Sequence, residues 1–252
     1  MEYSKKEIDN PLITIGTKSM AEPTDTDPIE KLQNKVNELL GGKERENKER
    51  LKVLEAGCGS LSHLQFENAY VVGIDTSSKQ LDRNEYISER IQGDIQYYDL
   101  AKSAFDVIVC WDVLEHLKYP QNTIQNFING LKTGGILVLA APNPLSFCGL
   151  VTKYTPNVFH LFYYKHIIGS KHAGKEDVGP FRTYMKWTMS PKEIVKLARS
   201  QGQKVVYLDI YEGMLQKKLR GKYKLANWLF QLISMCCDAL NKSSFVVVIQ
   251  KT

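Results

Sequence analysis

Two glycines and two acids have the spacing to do chemistry. Gly57 and Gly59 follow the apolar run KVLEA, Asp75 closes the next run, YVVGID, and Asp94 follows in Gly93-Asp94-Ile95. If KVLEA is a parallel strand, the glycines turn the chain at its carboxyl end. Lacking side chains, they let a ligand lie against the backbone, before amides at the start of a following helix. A carboxylate ending the neighbouring strand can accept hydrogen bonds from both hydroxyls of a ribose. On the glycines alone, a ligand-binding turn and a plain strand–helix turn are equally good readings. Asp75 and Asp94, both in register with that turn, tip the balance toward a ligand over simple turn capping.

Such residues need a parallel sheet to hold them. From Leu51 onward short apolar runs alternate with helical patterns: KVLEAGCG, YVVGID, FDVIVCW and GGILVLAAP read as strands, and Gln121 to Leu131 as a helix. This alternation predicts an α/β fold, a doubly wound, mostly parallel sheet with helices on both faces. KVVYLDI and SSFVVVIQK add two more strands, the last one antiparallel beside the one before it. Strands are expected near 52–56, 70–74, 105–110, 135–140, 204–210 and 244–250, with a short one near 90–95.

Residues 1–50 read as an N-terminal arm and a helix, ahead of a main domain at 51–252. The helix starts at Asp27, with Pro28 at its first position and Glu30 where a capping-box carboxylate belongs. Ile29, Leu32, Val36, Leu39 and Leu40 form its apolar stripe, and Gly41-Gly42 ends it. The charged run KERENKER that follows reads as a solvated loop or helix end. Residues 143–187 break the alternation with KYTPNVFHLFYYKHIIGSKH and read as an inserted substrate cap. Its Phe159, Phe162, Tyr163 and Tyr164, with Trp187, either line an apolar or aromatic pocket or fix the cap to the domain. A helix capped by Ser190 should run to Ser200. Residues 214–240 should be helical, with a narrow polar stripe of Asn227, Gln231, Ser234 and Asp238.

The ordered set of glycine turn, Asp75, Gly93-Asp94-Ile95, FDVIVCWDVLEHL and LKTGGILVLAAPNP resembles the class I S-adenosylmethionine-dependent methyltransferases. Within that family it is most similar to the small-molecule branch containing the ubiquinone-pathway O-methyltransferases. The resemblance covers about residues 50–142 and implies S-adenosylmethionine as cofactor. It implies that Glu55, Gly57 and Gly59 surround the methionine moiety, that Asp75 holds the ribose, and that Asp94 receives the adenine amino group with Ile95 beside the ring. Cys110 and Trp111 match strand-end positions whose backbone approaches the methionine end. His116 matches the His of an E-H-[LIV] segment opening the next helix, near the expected methyl end. It is the first candidate for a catalytic base, ahead of His160, His166 and His172, with a structural or cofactor-shell role for its ring ranked ahead of base. Asp112, Glu115 and His116 also match a set that holds a divalent cation in the ubiquinone-pathway enzymes. A helix-capping or cofactor-shell role for the three outweighs the metal reading.

Two departures from the family pattern stand out. Leu61 replaces a frequent third glycine, and the crossover from Ser60 to Ala69 is short with little helical pattern. They motivate the alternative of a non-catalytic, methyltransferase-like binding protein. A dinucleotide oxidoreductase is disfavoured because the third glycine of its fingerprint would fall at Ser62.

The remaining expectations concern partners. A balance of 33 basic and 28 acidic residues is too mild for a dedicated nucleic-acid binder. Cys110-Trp111-Asp112-Val113 stands where amino-methylating DNA enzymes carry [DN]PP[YF], and no Pro-Cys dipeptide occurs. A small-molecule acceptor is expected, with transfer to oxygen implied by the resemblance. Cys58, Cys110, Cys148, Cys236 and Cys237 form no disulfide or zinc pattern. With no signal-peptide core at the start, they suggest the cytoplasm. The 214–240 region could pack normally, form a homodimer, or touch a membrane surface.

Overall fold

The computed structural model describes residues 27–41, 50–169, 174 and 179–252. The expected N-terminal arm, most of the KERENKER run and His172 lie outside them. The described residues fall into two compact units. One comprises Asp27–Tyr154 with Thr183–Thr252, and the other is built from the segment Thr155–Arg182.

The larger unit begins with α1 (Pro28–Gly41). Asp27 caps it as expected, its carboxylate accepting from the Ile29 amide at 3.1 Å. Then follow β1 (Leu51–Ala56), β2 (Ala69–Asp75), α2 (Ser78–Arg83), β3 (Glu89–Gln92), β4 (Phe105–Trp111), α3 (Pro120–Gly130), β5 (Leu131–Pro142) and α4 (Phe147–Tyr154). The seven strands among the described residues form one sheet in the order β3-β2-β1-β4-β5-β7-β6, with β6 at Lys204–Tyr211 and β7 at Ser244–Gln250. β1 pairs in parallel with β2 and β4, β2 with β3, and β4 with β5. β7 runs antiparallel to β6, as the sequence predicted. It is not only a hairpin partner, because it inserts between β5 and β6 and pairs with both. That placement explains FVVVI: a strand flanked on both edges and covered on both faces must be apolar at every position, and Phe245 to Ile249 are all buried.

Apolar side chains on the two faces make two cores. Ile124 and Phe127 of α3 and Ile194 and Ala198 of α6 (Pro191–Ser200) cover one face. The other is covered by Leu32 and Val36 of α1, by Leu81 of α2, and by Leu64 and Phe66 from the first crossover. Leu32 and Val36 are fully buried, each contributing roughly 1.5–3 kcal/mol of burial. The arm helix is thus part of the sheet's own core.

In keeping with the weak helical pattern of the first crossover, no helix follows the glycine turn: residues 57–68 are turns, bends and irregular chain, and the turn has no helix N-terminus behind it. Two local expectations are corrected. Ser190 sits at the N-cap of α6 in an extended conformation but makes no side-chain capping bond. The 214–240 helix is two helices, α7 (Met214–Lys222) and α8 (Lys224–Cys236), broken at an extended Tyr223.

In the second unit, α5 (Asn157–Phe162) runs into a wider π-type turn at Tyr163–Ile168, which Gly169 ends with a φ of 82°. The His160 ring lies 2.9 Å from the Thr155 hydroxyl, and the rings of Phe162 and His166 are 4.5 Å apart.

Candidate functional site

The parallel register brings the carboxyl ends of β1, β2 and β4 to one edge: Ala56 pairs with Ile74 and with Cys110, and Asp75 with Gln92. Successive strands are added outward in one direction from β1 to β3 and in the other from β4, so strand order reverses between the parallel β1 and β4, the switch point where ligands of open α/β sheets bind. Gly57, Asp75 and Trp111 therefore start at one crevice.

The glycine turn is tied down across the edge. The amides of Gly57 and Cys58 donate to the Ile74 carbonyl at 2.7 and 3.3 Å. The Gly59 amide donates to Asp75 Oδ2 at 2.9 Å, and the Ser77 amide to Asp75 Oδ1 at 2.9 Å. Gly57 has a φ of 71°, and a Cβ there would stand 2.3 Å from a methyl carbon of Val113. Only glycine fits both constraints, which is why the turn can pass so close to the segment after β4.

Below the turn, Glu55 is buried. Its Oε2 accepts from the Ser62 hydroxyl at 2.5 Å, while its Oε1 has no partner in the protein. Burial pushes its carboxyl up to about 7. The crossover loop that replaces a helix is latched by polar side chains. Asn84, itself buried, donates to the Cys58 carbonyl at 3.4 Å. Gln33 of α1 pairs with both backbone groups of Gln65, at 2.8 and 2.9 Å. The exposed Leu61 stands on this loop in place of the third glycine. A hollow of about 270 Å³ adjoins the loop, lined by Ser60, Leu61 and Ser62 and by residues 83–86.

The remaining candidates are placed as follows. Asp94 makes an Asx turn, its Oδ1 accepting from the Gln96 amide at 2.9 Å. Ile95 and Cys110 are both buried in the core; burial raises the Cys110 thiol far above its usual range, so only its backbone faces the edge chemically. Trp111 is half-buried and stacks on His63, with ring centroids 4.6 Å apart and planes 14° from parallel. Sequence reasoning missed His63. It carries no spacing signal and reaches Trp111 only because the crossover is a loop.

After β4 the chain turns sharply. Asp112 has a φ of 51°, a left-handed conformation that Asp tolerates better than most residues. Leu114–His116 is a short 3-10 turn, and α3 begins later at Pro120. His116 therefore precedes the helix instead of opening it, and Asp112, Glu115 and His116 do not share a helix face. The Glu115 carboxylate is buried, with Oε2 unpartnered, and lies 3.9 Å from His116 Nε2 through Oε1. Among the described residues no group of three or more His, Cys, Asp or Glu side chains is arranged to hold a metal ion.

Burial pushes the Glu115 carboxyl from 4.5 up to about 8. A raised folded-state pKa gives a stabilising contribution that is full below the unfolded value and lost as pH rises through the folded one. Glu115→Gln mimics the protonated form. The variant should gain on wild type in melting temperature as pH rises from about 5 to about 8, by several degrees for a domain of this size. A difference independent of pH, followed by thermal unfolding without ligand, would show that Glu115 does not titrate in this window.

A seven-stranded sheet in this order, with its glycine turn at the switch point, is the fold of class I S-adenosylmethionine-dependent methyltransferases. The methyltransferase domain family matches residues 25–211, and the chain belongs to that family. It is 28% identical over 184 residues to the ubiquinone biosynthesis O-methyltransferase of Coxiella burnetii, covering 69% of this chain and 71% of that one. It is 21% identical over 220 residues to the enzyme of the same name from Rickettsia prowazekii, covering 83% and 76%. Among solved structures, an S-adenosylmethionine-dependent methyltransferase from Archaeoglobus fulgidus superposes with a TM-score of 0.52 at 14% identity, covering 88% of this chain and 94% of that one. The phosphoethanolamine N-methyltransferase 2 of Haemonchus contortus, in complex with S-adenosylmethionine, gives 0.50 at 14%, covering 85% and 52%. The protein is an S-adenosylmethionine-dependent methyltransferase, and S-adenosylmethionine is its cofactor.

Proposed function

We propose that this enzyme methylates an oxygen atom of a small apolar or aromatic acceptor. The cofactor lies across the β1–β4 crevice, with Asp75 on the ribose, Asp94 and Ile95 at the adenine, and Glu55, Gly57, Gly59, Cys110 and Trp111 along the methionine end. The observation that carries this reading is Glu55. A buried carboxylate with one oxygen unpartnered beside a glycine turn calls for a cation, and the ammonium of a methionine moiety is of the right kind. Asp75 fits as well: each carboxylate oxygen has a lone pair left after accepting from Gly59 or Ser77.

The bound cofactor supplies a methyl group already made electrophilic by its sulfonium. The protein's work is to align the acceptor with that group and exclude water. His116, on the turn after β4, is the base that takes the acceptor's hydroxyl proton. Residues 143–187 are the proposed acceptor cap, and the exposed Val158, Phe159 and Phe162 within them suit an apolar molecule. The name of the relatives, ubiquinone biosynthesis O-methyltransferase, supports oxygen as the acceptor atom. Five free cysteines suit a reducing compartment such as the cytoplasm.

Two measurements test this. Calorimetric titration with S-adenosylmethionine should give one site per chain. Incubation with a panel of phenols, catechols, amines and carboxylates should then yield, by mass spectrometry, methyl ethers from the aromatic alcohols. Methylated amines with untouched phenols would defeat the oxygen assignment, and a cofactor that fails to bind would defeat the site.

A further inference from the structure

We propose that α7 and α8 dock this protein reversibly on the surface of an anionic lipid bilayer. α8 buries Phe230 against the domain and turns a second apolar face to solvent. Leu225, Trp228, Leu229, Leu232 and Met235 are exposed, Leu225 at 74% and Met235 at 83%. Their spacing of three and four residues puts them on one helix face. Some polar groups of this region turn inward, while Gln231 stays exposed. Asn227 accepts from Arg220 Nε at 3.1 Å, and buried Asn241 donates to the carbonyl of buried Phe230 at 2.7 Å. Met214 and Leu215 at the start of α7 are exposed as well. Scattered exposed apolar residues need no explanation, but a continuous apolar face on one helix does.

Charge selects the occupant. Residues 213–237 contain Lys217, Lys218, Arg220, Lys222 and Lys224 and no acid. All four lysines are exposed. An apolar face bearing tryptophan, beside four exposed lysines, suits the boundary between acyl chains and anionic headgroups; Arg220 is paired with Glu212 at 3.0 Å. A second copy of the chain fits less well. A two-fold contact would set the same patch against itself and bring the lysines of both copies together. Docking is in the plane of the surface. At 13 residues, α8 is about 20 Å long, short of a hydrocarbon core of about 30 Å. No helix among the described residues is long and apolar enough to cross a membrane.

The test is flotation of the full chain with vesicles of phosphatidylcholine alone or mixed with phosphatidylglycerol. The protein should float with the mixed vesicles at low salt and leave them as salt rises. Trp228→Ser with Leu232→Ser should abolish flotation. Lys217→Ala and Lys218→Ala should each weaken partitioning about fivefold. These side chains are exposed, so cofactor titration should be unchanged in every variant, which controls for folding. Equal flotation of wild type and the Trp228→Ser/Leu232→Ser variant would overturn the proposal. So would wild type that ignores both vesicle types. If light scattering then shows a dimer that the same variant splits, the face is a contact between copies and the bilayer proposal is wrong.

Discussion

His116→Ala should lower turnover by roughly 10²–10⁴-fold and leave the affinity for S-adenosylmethionine nearly unchanged. The size is that of a general base acting on a group that keeps its proton at neutral pH. The split follows because the proton is taken only in the transition state, so the loss falls on kcat and not on ground-state cofactor binding. The turn should survive the truncation. It is anchored by backbone: the Glu115 carbonyl accepts from the amides of Tyr184 and Met185 at 2.7 and 3.2 Å, and the His116 amide donates to Val113 at 2.9 Å. Single-turnover rates per folded molecule, read beside calorimetry, make the check. A lowered melting temperature with undiminished turnover would assign the ring to structure alone. Chelator treatment separates the remaining possibility: wild-type turnover should persist in its presence, and a loss matching that of the variant would make His116 a metal ligand.

Asp75→Ala should weaken S-adenosylmethionine binding by about 2–3 kcal/mol, roughly 30- to 150-fold in Kd. Two contributions add. The ribose loses a charge-assisted acceptor for its hydroxyls, and the glycine turn loses the bond from Gly59 that holds it against β2. Asp75→Asn distinguishes them, because a retained amide oxygen can still accept from Gly59 while the charge is gone. Its Kd should fall between those of wild type and Asp75→Ala. Wild-type affinity in Asp75→Ala would mean that the ribose is held elsewhere.

The sheet was legible because buried parallel strands are short, continuous apolar runs, and FDVIVCW or FVVVI can be little else. The edge residues were legible for the same reason: a strand end fixes Gly57, Asp75 and Trp111 once the strand is known. Paths and partners went unread where tertiary contacts replace local pattern. Residues 57–68 hold their path through Ser62, Asn84 and Gln33, contacts of no fixed period. His63 was invisible for that reason. The 214–240 stretch has unbroken helical composition, and nothing in Tyr223 announces an extended residue. Its apolar content pointed to burial, yet α8 presents much of that face to solvent. Composition counts apolar residues, and only the fold decides which way they point.

The crossover that lacks a helix also bears on how the enzyme exchanges spent cofactor for fresh. A helix behind the glycine turn would protect its amides cooperatively, and opening it would unravel several hydrogen bonds in series. Here a handful of side-chain latches do the holding, two of them from Gln33 on α1. Such a loop opens as a small unit, at a free energy well below that of the sheet. Amide protons at 59–66 should therefore exchange faster than those of β1 and β4 in the free enzyme. Occupancy of the crevice should slow them selectively, and α1 should share in that slowing. Release of the spent cofactor would then be timed by the N-terminal helix letting go of its loop.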